Sequence, residues 1–368
     1  MSGTVVAQAR LRPAPEEAGV FAVRPFIVIW EATRACDLAC RHCRADAQTT
    51  RDPDELDTTV AKALMARLAT GFGPVVFVIT GGDPAKRVDL VDLIAHGTEL
   101  GLAMALTPSA TPLVTPALLA QCHAAGLRRI AFSLDGADAA THDAFRQVSG
   151  TYDRTLVLLA AARRLGLETQ INTSVSRHDR SQLRAIAALG REAGISLWSV
   201  FLLVPTGRAS ADMLLTATEH EKVYRELADI ALDPATPFRI KTTAGQPYYR
   251  VLAQERERRL VTSAAHAGRG VNDGNGFLFI SHTGEICPSG FLPITCGNVR
   301  RDDPVDVYRH HPLFLALRSP DRLGGKCGRC EFRRLCGGSR SRAFGLTGDP
   351  LAADPTCVYQ PRESADLI

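Results

Sequence analysis

The sequence holds no stretch of roughly 18–20 uncharged apolar residues, so no membrane-spanning helix is expected. Between Met1 and Pro25 it also lacks the cationic-then-apolar order of a signal peptide; Pro, Ala and a Glu pair stand there instead. A cytoplasmic location is the expectation. Charge of one sign is not in excess: 43 Lys and Arg against 39 Asp and Glu leave +4. Nucleic-acid binders concentrate a basic face, and only the run Arg329 to Arg342 is locally basic, so neither a nucleic-acid nor a membrane partner is expected. Internal repeats and low-complexity tracts are missing too. What is present is ordinary globular material, 45% hydrophobic and 22% charged over 368 residues. That excludes a disordered chain, a collagen-like fibre and a disulfide-stapled miniprotein, and it suffices for about two domains.

A reducing compartment makes the ten cysteines informative, because a disulfide framework is not expected there. They are clustered. Cys36, Cys40 and Cys43 stand near the front, Cys287, Cys296, Cys327, Cys330, Cys336 and Cys357 in the last quarter, and Cys122 alone between them. Cys122 shares an apolar helix face with Leu118 and Leu119 and reads as core.

Between the clusters, short apolar runs alternate with amphipathic stretches. Strands are expected at Phe26 to Trp30, Val75 to Ile79, Ala103 to Leu106, Arg129 to Leu134, Glu168 to Ser174 and Leu197 to Val204. Helices are expected between them, including one long helical region from Ala137 to Leu165, with start signals at Thr115-Pro116 and Asp179-Arg180-Ser181. Such βα units, each of roughly 30 residues, imply parallel strands with right-handed crossovers, in a doubly wound sheet or a complete or partial barrel. In either case the loops after the strands share the ligand-binding end. After Pro205-Thr206-Gly207 the alternation gives way to helical segments (Thr218 to Ala231, Pro247 to Leu260), a Gly/Asn-rich turn at Gly268 to Gly276, and a hairpin from Phe277 to Cys287. The turn-rich remainder has too little apolar content to fold without a metal.

Cys36-x3-Cys40-x2-Cys43 supplies three thiols where structural zinc asks for four ligands; His42 and Asp46 are the nearest further donors. A [4Fe–4S] cluster on three thiolates leaves one iron open, which is a catalytic arrangement. Zinc or an inert Cys-rich turn is the alternative.

This triad after a first strand resembles the signature of the radical S-adenosylmethionine (SAM) superfamily, with His42 at the position beside the adenine. Thr80-Gly81-Gly82-Asp83-Pro84 after the second strand is similar to that family's Gly-Gly-Glu-Pro motif, with Asp for Glu, whose backbone meets the SAM amino group. Glycines permit such close approach. Ser133 and Asp135 after the fourth strand, Asn172 and Ser174 on the fifth, and Val204 after the sixth resemble the segments that contact ribose, carboxylate and adenine. The resemblance implies an α/β fold, a partial (β/α)6 barrel over residues 25–210, preceded by a flexible segment 1–24 and followed by a helical linker 211–275. It implies reductive cleavage of SAM at the cluster to a 5′-deoxyadenosyl radical that abstracts hydrogen from the substrate, with electrons from a low-potential donor such as flavodoxin or ferredoxin.

Cys327-x2-Cys330-x5-Cys336, with Cys357 beyond, supplies four thiols that suit zinc or a [4Fe–4S] cluster equally. A zinc-stabilised binding module is therefore the non-enzyme reading. Beside the first resemblance, residues 276–368 resemble the SPASM domain, which carries auxiliary clusters, except that Arg340 stands where one Cys of the pattern belongs. One auxiliary [4Fe–4S] cluster on Cys327, Cys330, Cys336 and Cys357 is implied, with Cys287 and Cys296 unassigned. Segments Pro288 to Pro293, Gly297-Asn298-Val299 and Gly337 to Arg340 are similar to radical SAM enzymes of alternative haem biosynthesis, which act on propionate side chains of an iron tetrapyrrole. Arg329, Arg333, Arg334, Arg340 and Arg342 would suit carboxylates, or else balance cluster charge or form a solvated face. The competing substrate is a peptide, as for ribosomal-peptide maturases; residues 1–24 are too few for a peptide-recognition domain.

Overall fold

Strands with apolar side chains on both faces must be covered on both faces, and this chain covers them with helices outside and a cavity inside. The computed structural model describes residues 20–177, 180–261 and 270–362. Its strands are β1 (Ile27–Glu31), β2 (Val76–Thr80), β3 (Ala103–Leu106), β4 (Arg129–Ser133), β5 (Glu168–Val175), β6 (Leu197–Leu202), β7 (Arg239–Thr243), β8 (Phe277–Ile280), β9 (Glu285–Cys287) and β10 (Gly297–Asn298). They form one sheet in the order β10-β9-β8-β1-β2-β3-β4-β5-β6-β7. Strands β1 to β7 pair in parallel in sequence order, β8 adds in parallel to the free side of β1, and β9 and β10 follow antiparallel.

Alternate residues of each strand divide the two faces. Val28, Trp30, Phe77, Ile79, Ile130, Phe132, Ile171 and Trp198 belong to the large core under the helices. Ile27, Val76, Val78 and Ala105 form a separate small cluster on the inner face. Inner-face residues from β1 through β8 line a single cavity of about 350 Å³, so the sheet curls into an open barrel.

The expected α/β architecture and the six strands are present, and the structure extends them. The segment read as a helical linker holds β7 between the helices Ala217–Leu232 and Pro247–Arg258. The sequence Arg239-Ile-Lys-Thr-Thr is polar at four of five positions because β7 is an edge strand with an inner face open to the cavity. The hairpin β8–β9 is present, but β8 is also a barrel strand, so the Cys-rich segment begins within the barrel sheet. The long helical region breaks into Ala139–Arg146 and Thr151–Arg164. Gln147 and Gly150 take left-handed φ of 60° and 79° there. The Asp143 carboxylate fixes that break by accepting from Gly150 N, Thr151 Oγ1 and Tyr152 N. Thr115 caps its helix as expected, accepting from Leu118 N at 3.1 Å.

Residues 1–19 of the expected flexible segment, Asp179 of the helix-start signal and residues 268–269 of the Gly-rich turn lie outside the described residues. Val20–Val23, expected to be flexible, is a short helix; Phe21 is buried and its carbonyl accepts from Tyr308 Oη at 2.7 Å.

Candidate active site

The loop after β1 carries Cys36, Cys40 and Cys43 into one small apolar patch with Leu38, Ala47 and Val148. Each sulfur has a donor aimed at it. Leu38 N lies 3.4 Å from Cys36 Sγ and Ala47 N 3.4 Å from Cys43 Sγ, while Arg146 Nη1 stands 3.6 Å from Cys40 Sγ. Ser109 Oγ is 3.5 Å from Cys36 Sγ and donates to Gly82 O at 2.7 Å. Burial pushes the Cys36 thiol up, opposed by its hydrogen bonds to Ser109 and Leu38. Among the described residues no three His, Cys, Asp or Glu side chains converge on one ion. A four-iron cluster draws each thiolate to a different iron, so such convergence is not what it needs. Three thiols in one apolar patch, each with a donor that favours the thiolate, fit that group.

Beside Cys40, a buried ionic network adjoins the site. Arg146 Nε donates to Asp135 Oδ2 at 2.7 Å, and Ser174 N donates to Asp135 Oδ1 at 2.7 Å. Burial works to raise the Asp135 pKa, but the Arg146 charge prevails and holds it below the usual carboxylate range. His142 Nδ1 accepts from Asp135 N at 3.0 Å. His42 stacks on Phe145 with centroids 4.0 Å apart and planes at 6°, and its Nδ1 is buried without a partner. Burial, with Arg146 and Arg208 nearby, lowers the His42 pKa to about 3, so the ring is neutral.

Gly81 and Gly82 lie against the backbone that follows β1. A Cβ on Gly81 would stand 2.3 Å from Thr33 O, and one on Gly82 2.5 Å from Ala35 O. The Asp83 carboxylate is buried and turned inward, accepting from Ala85 N at 3.1 Å and Thr111 Oγ1 at 2.6 Å. Pro84 opens a 3-10 turn capped by that carboxylate. Asp83 thus ties the loops after β2 and β3 together.

Parallel register places Ser133, Asn172 and Ser199 side by side on β4, β5 and β6. Asn172 lines the cavity and accepts from Gln170 Nε2 at 2.6 Å. Val204 is buried next to Gly345 of the C-terminal helix Arg340–Thr347. None of Cys36, Cys40, Cys43, Asp135 or Ser174 lines the cavity; Thr80, Asn172 and Arg44 carry its wall toward them.

Four residues absent from the sequence reading hold this arrangement together: Ser109, Arg146, Arg208 and Arg44. Arg208 clamps the cysteine loop by donating to Cys40 O at 3.0 Å and Ala47 O at 3.1 Å. It follows Gly207, whose φ of 62° and close approach to Cys43 O admit no side chain, so Pro-Thr-Gly-Arg at a strand end was the available signal. Arg44 donates to the buried Glu31 at 2.7 Å and lies 4.9 Å over the Phe279 ring.

Cys327, Cys330, Cys336 and Cys357 line one small cavity, together with Arg250, Phe332 and Tyr359. Asp354 N is 3.4 Å from Cys327 Sγ and Gly338 N 3.3 Å from Cys336 Sγ. Burial pushes the Cys330 thiol up to about 11 and raises Cys336 further, so thiolates here call for a bound cation. Arg340 is buried, donating to Pro350 O and Ala352 O with Nη2 3.7 Å from Cys327 Sγ. Arg342 is buried as well, bonded to Leu202 O, Leu203 O and Ala244 O. Arg333 and Arg334 pair with Asp321. These four arginines of the basic run therefore brace the fold rather than wait for carboxylates. Cys287 and Cys296 line neither thiol group's surroundings; burial pushes both to about 12. Cys122 is fully buried in the main core.

The family model described as the radical SAM superfamily matches residues 30–197. The AdoMet-dependent heme synthase of Nitratidesulfovibrio vulgaris is 39% identical over 344 residues, spanning 91% of this chain and 93% of its own. The chain belongs to the radical SAM superfamily. A second AdoMet-dependent heme synthase, from Methanosarcina barkeri, is 32% identical over 343 residues, with 92% and 97% coverage. Among solved structures, Streptococcus suis SuiB bound to precursor peptide SuiA superposes with a TM-score of 0.69 over 92% of this chain and 76% of that one, at 19% identity, which concerns the fold alone. Membership in the radical SAM superfamily makes the chain an enzyme that works with a [4Fe–4S] cluster and SAM, and the reading as a non-enzymatic zinc module falls. Among the described residues no helix is long and apolar enough to cross a membrane.

Proposed function

We propose that this radical SAM enzyme acts on propionate side chains of an iron tetrapyrrole, in an alternative route to haem. The observation that carries the substrate reading is near-full-length identity of 39% to a relative named AdoMet-dependent heme synthase. When bound, the cluster supplies the electron that converts SAM to methionine and a hydrogen-abstracting 5′-deoxyadenosyl radical.

The residues assign themselves to holding and orienting. Cys36, Cys40 and Cys43 hold three irons, with Leu38 N, Ala47 N and Arg146 stabilising the thiolates. Neutral His42, fixed on Phe145, faces adenine with its unpartnered Nδ1 free to accept. The Gly81-Gly82 backbone takes the SAM amino group, Ser133, Asp135, Asn172 and Ser174 border ribose and carboxylate, and Val204 borders adenine. Asp83 and Pro84 act one step back, by fixing the loop that carries Gly82 O. The barrel cavity takes the substrate and keeps water from the radical. Cys327, Cys330, Cys336 and Cys357 hold one auxiliary [4Fe–4S] cluster in the segment 276–368, supported by their shared cavity. A low-potential flavodoxin or ferredoxin supplies electrons.

The test is anaerobic incubation with iron coproporphyrin III, SAM and dithionite. The expected outcome is 5′-deoxyadenosine formed together with a tetrapyrrole of altered mass. If 5′-deoxyadenosine accumulates while the tetrapyrrole stays unchanged, the substrate reading is wrong. A peptide substrate is the rival, and candidate precursor peptides belong in the same assay.

A further inference from the structure

A tetrapyrrole with propionate arms brings several carboxylates into the enzyme, so cations without acidic partners should face the place where it binds. The basic run near the C-terminus offers few of them: Arg340 and Arg342 are buried in backbone contacts, and Arg333 and Arg334 pair with Asp321. The barrel cavity is different. Four cations line it: Arg44, Arg129, Arg239 and Lys241. Arg44 is held by the buried Glu31, and Arg129 by Glu168 at 3.0 Å. Arg239 and Lys241 have no acidic partner among the described residues. The acid on the cavity wall, Asp273, is engaged by Ser289 Oγ and Ser341 N.

Register fixes where Lys241 stands. It pairs with Ser199, which pairs with Asn172, which pairs with Ser133, so one row crosses the inner face from β4 to β7. Strands about 4.8 Å apart put Lys241 about 10 Å from Asn172 across the curved sheet. Arg239 lies two residues earlier on the same face, and Arg129 opens β4. The Ser199 hydroxyl between them is buried without a hydrogen-bond partner. A lysine in such surroundings, flanked by like charges, is not there for stability: burial, then Arg129 and Arg239, lower its pKa to about 8.

We propose that Lys241, with Arg239 beside it, binds a carboxylate arm of the substrate inside the barrel, the rest of the substrate reaching from there toward Asn172, Thr80 and the cysteine loop. The inference rests on the tetrapyrrole reading and deepens it by naming the residues that recognise the propionates. An ammonium on a flexible stem suits one carboxylate as a point charge, and the Arg239 guanidinium adds a forked donor.

The experiment is anaerobic Soret titration of the holoenzyme with iron coproporphyrin III and, separately, with its tetramethyl ester. Wild type is expected to bind the free acid more tightly than the ester. Lys241→Gln should weaken binding of the acid by about tenfold or more and leave ester binding unchanged, whereas Lys241→Arg, which keeps the charge, should stay near wild type. The Lys241→Arg variant and the unchanged ester affinity separate lost recognition from lost fold. Free-acid binding by Lys241→Gln as tight as by wild type overturns the inference while the tetrapyrrole reading stands. Failure of wild type to bind either porphyrin overturns both.

Discussion

Arg146 sits between a carboxylate and a sulfur, 2.7 Å from Asp135 and 3.6 Å from Cys40 Sγ, and so connects the two sides of the site. Asp135 is 1% exposed, and its charge is tolerated because the guanidinium faces it and Ser174 N donates to it. Removing the cation strands a buried carboxylate, a change that costs about 3–5 kcal/mol. Arg146→Met is therefore expected to lower the thermal midpoint sharply and to lose iron on purification. A midpoint equal to wild type with full iron content would show that Asp135 has another counter-charge. Glu31 poses the same problem with a pH signature. Burial works to raise its pKa, but Arg44 and the hydrogen bond from His282 win and lower it from 4.5 to about 2. A folded pKa below the unfolded one stabilises at pH above the unfolded value, and that gain is lost as pH falls through the folded value. The shift corresponds to about 3 kcal/mol, present near neutrality and lost between roughly pH 5 and 2. In urea titrations of metal-free protein, Glu31→Gln should be less stable at pH 7 and should change less than wild type on acidification. Parallel acid limbs for the two proteins would contradict this account.

At the scale of elements, the strands buried on both faces were legible because both faces ask for apolar residues, and Ala103–Leu106 appears with its expected bounds. Strand β7 was not, because it ends the sheet with no outer neighbour and carries polar side chains at four of its five positions. Nor was the break at Gln147 to Gly150, which depends on the Asp143 carboxylate collecting three donors, two of them backbone, rather than on a proline. The cysteine loop was legible as spacing, yet its clamps were not: Arg146 reaches it from the end of the helix Ala139–Arg146 and Arg208 from a loop after β6, both distant in sequence, and no local pattern marks them. Gly81-Gly82 carries a second requirement that its motif does not reveal. Beyond any approach to SAM, the pair must pass within contact of the Thr33 and Ala35 carbonyls, where Gly82 N and Asp83 N donate at 2.8 and 2.7 Å. Gly82→Ala would force a methyl against backbone, and overpacking of this kind costs about 1–3 kcal/mol. The expected outcome is reduced cluster content even before SAM is added, measured as iron and sulfide per chain. Full cluster content with weakened SAM binding would instead place the glycine's importance at the ligand alone.

Across the whole molecule, the C-terminal segment is bound to the barrel by more than adjacency. Strand β8 extends the barrel sheet at β1, and Arg342 joins the end of β6 to the residue after β7 through the carbonyls of Leu202, Leu203 and Ala244, with Asp354 3.6 Å away. Asp354 in turn holds Ser339 N at 2.9 Å, and its own N–H meets Cys327 Sγ. The second thiol group is thus tied to the barrel's ligand end through one buried ion pair, while its four sulfurs line a small cavity apart from the apolar patch that holds the first three. Separate ligand sets imply separable metal content. Replacing Cys330 and Cys357, both partly exposed, should remove one cluster's worth of iron and sulfide per chain. It should leave the EPR signal of the other cluster, and its shift on SAM addition, in place. Replacing Cys36, Cys40 and Cys43 should do the reverse, abolishing the SAM-dependent shift and 5′-deoxyadenosine formation with dithionite while the auxiliary signal persists. Zinc in place of the second cluster's iron in anaerobically purified wild type would refute the auxiliary [4Fe–4S] assignment and leave that of the first three cysteines untouched, because no ligand is shared between the two sites.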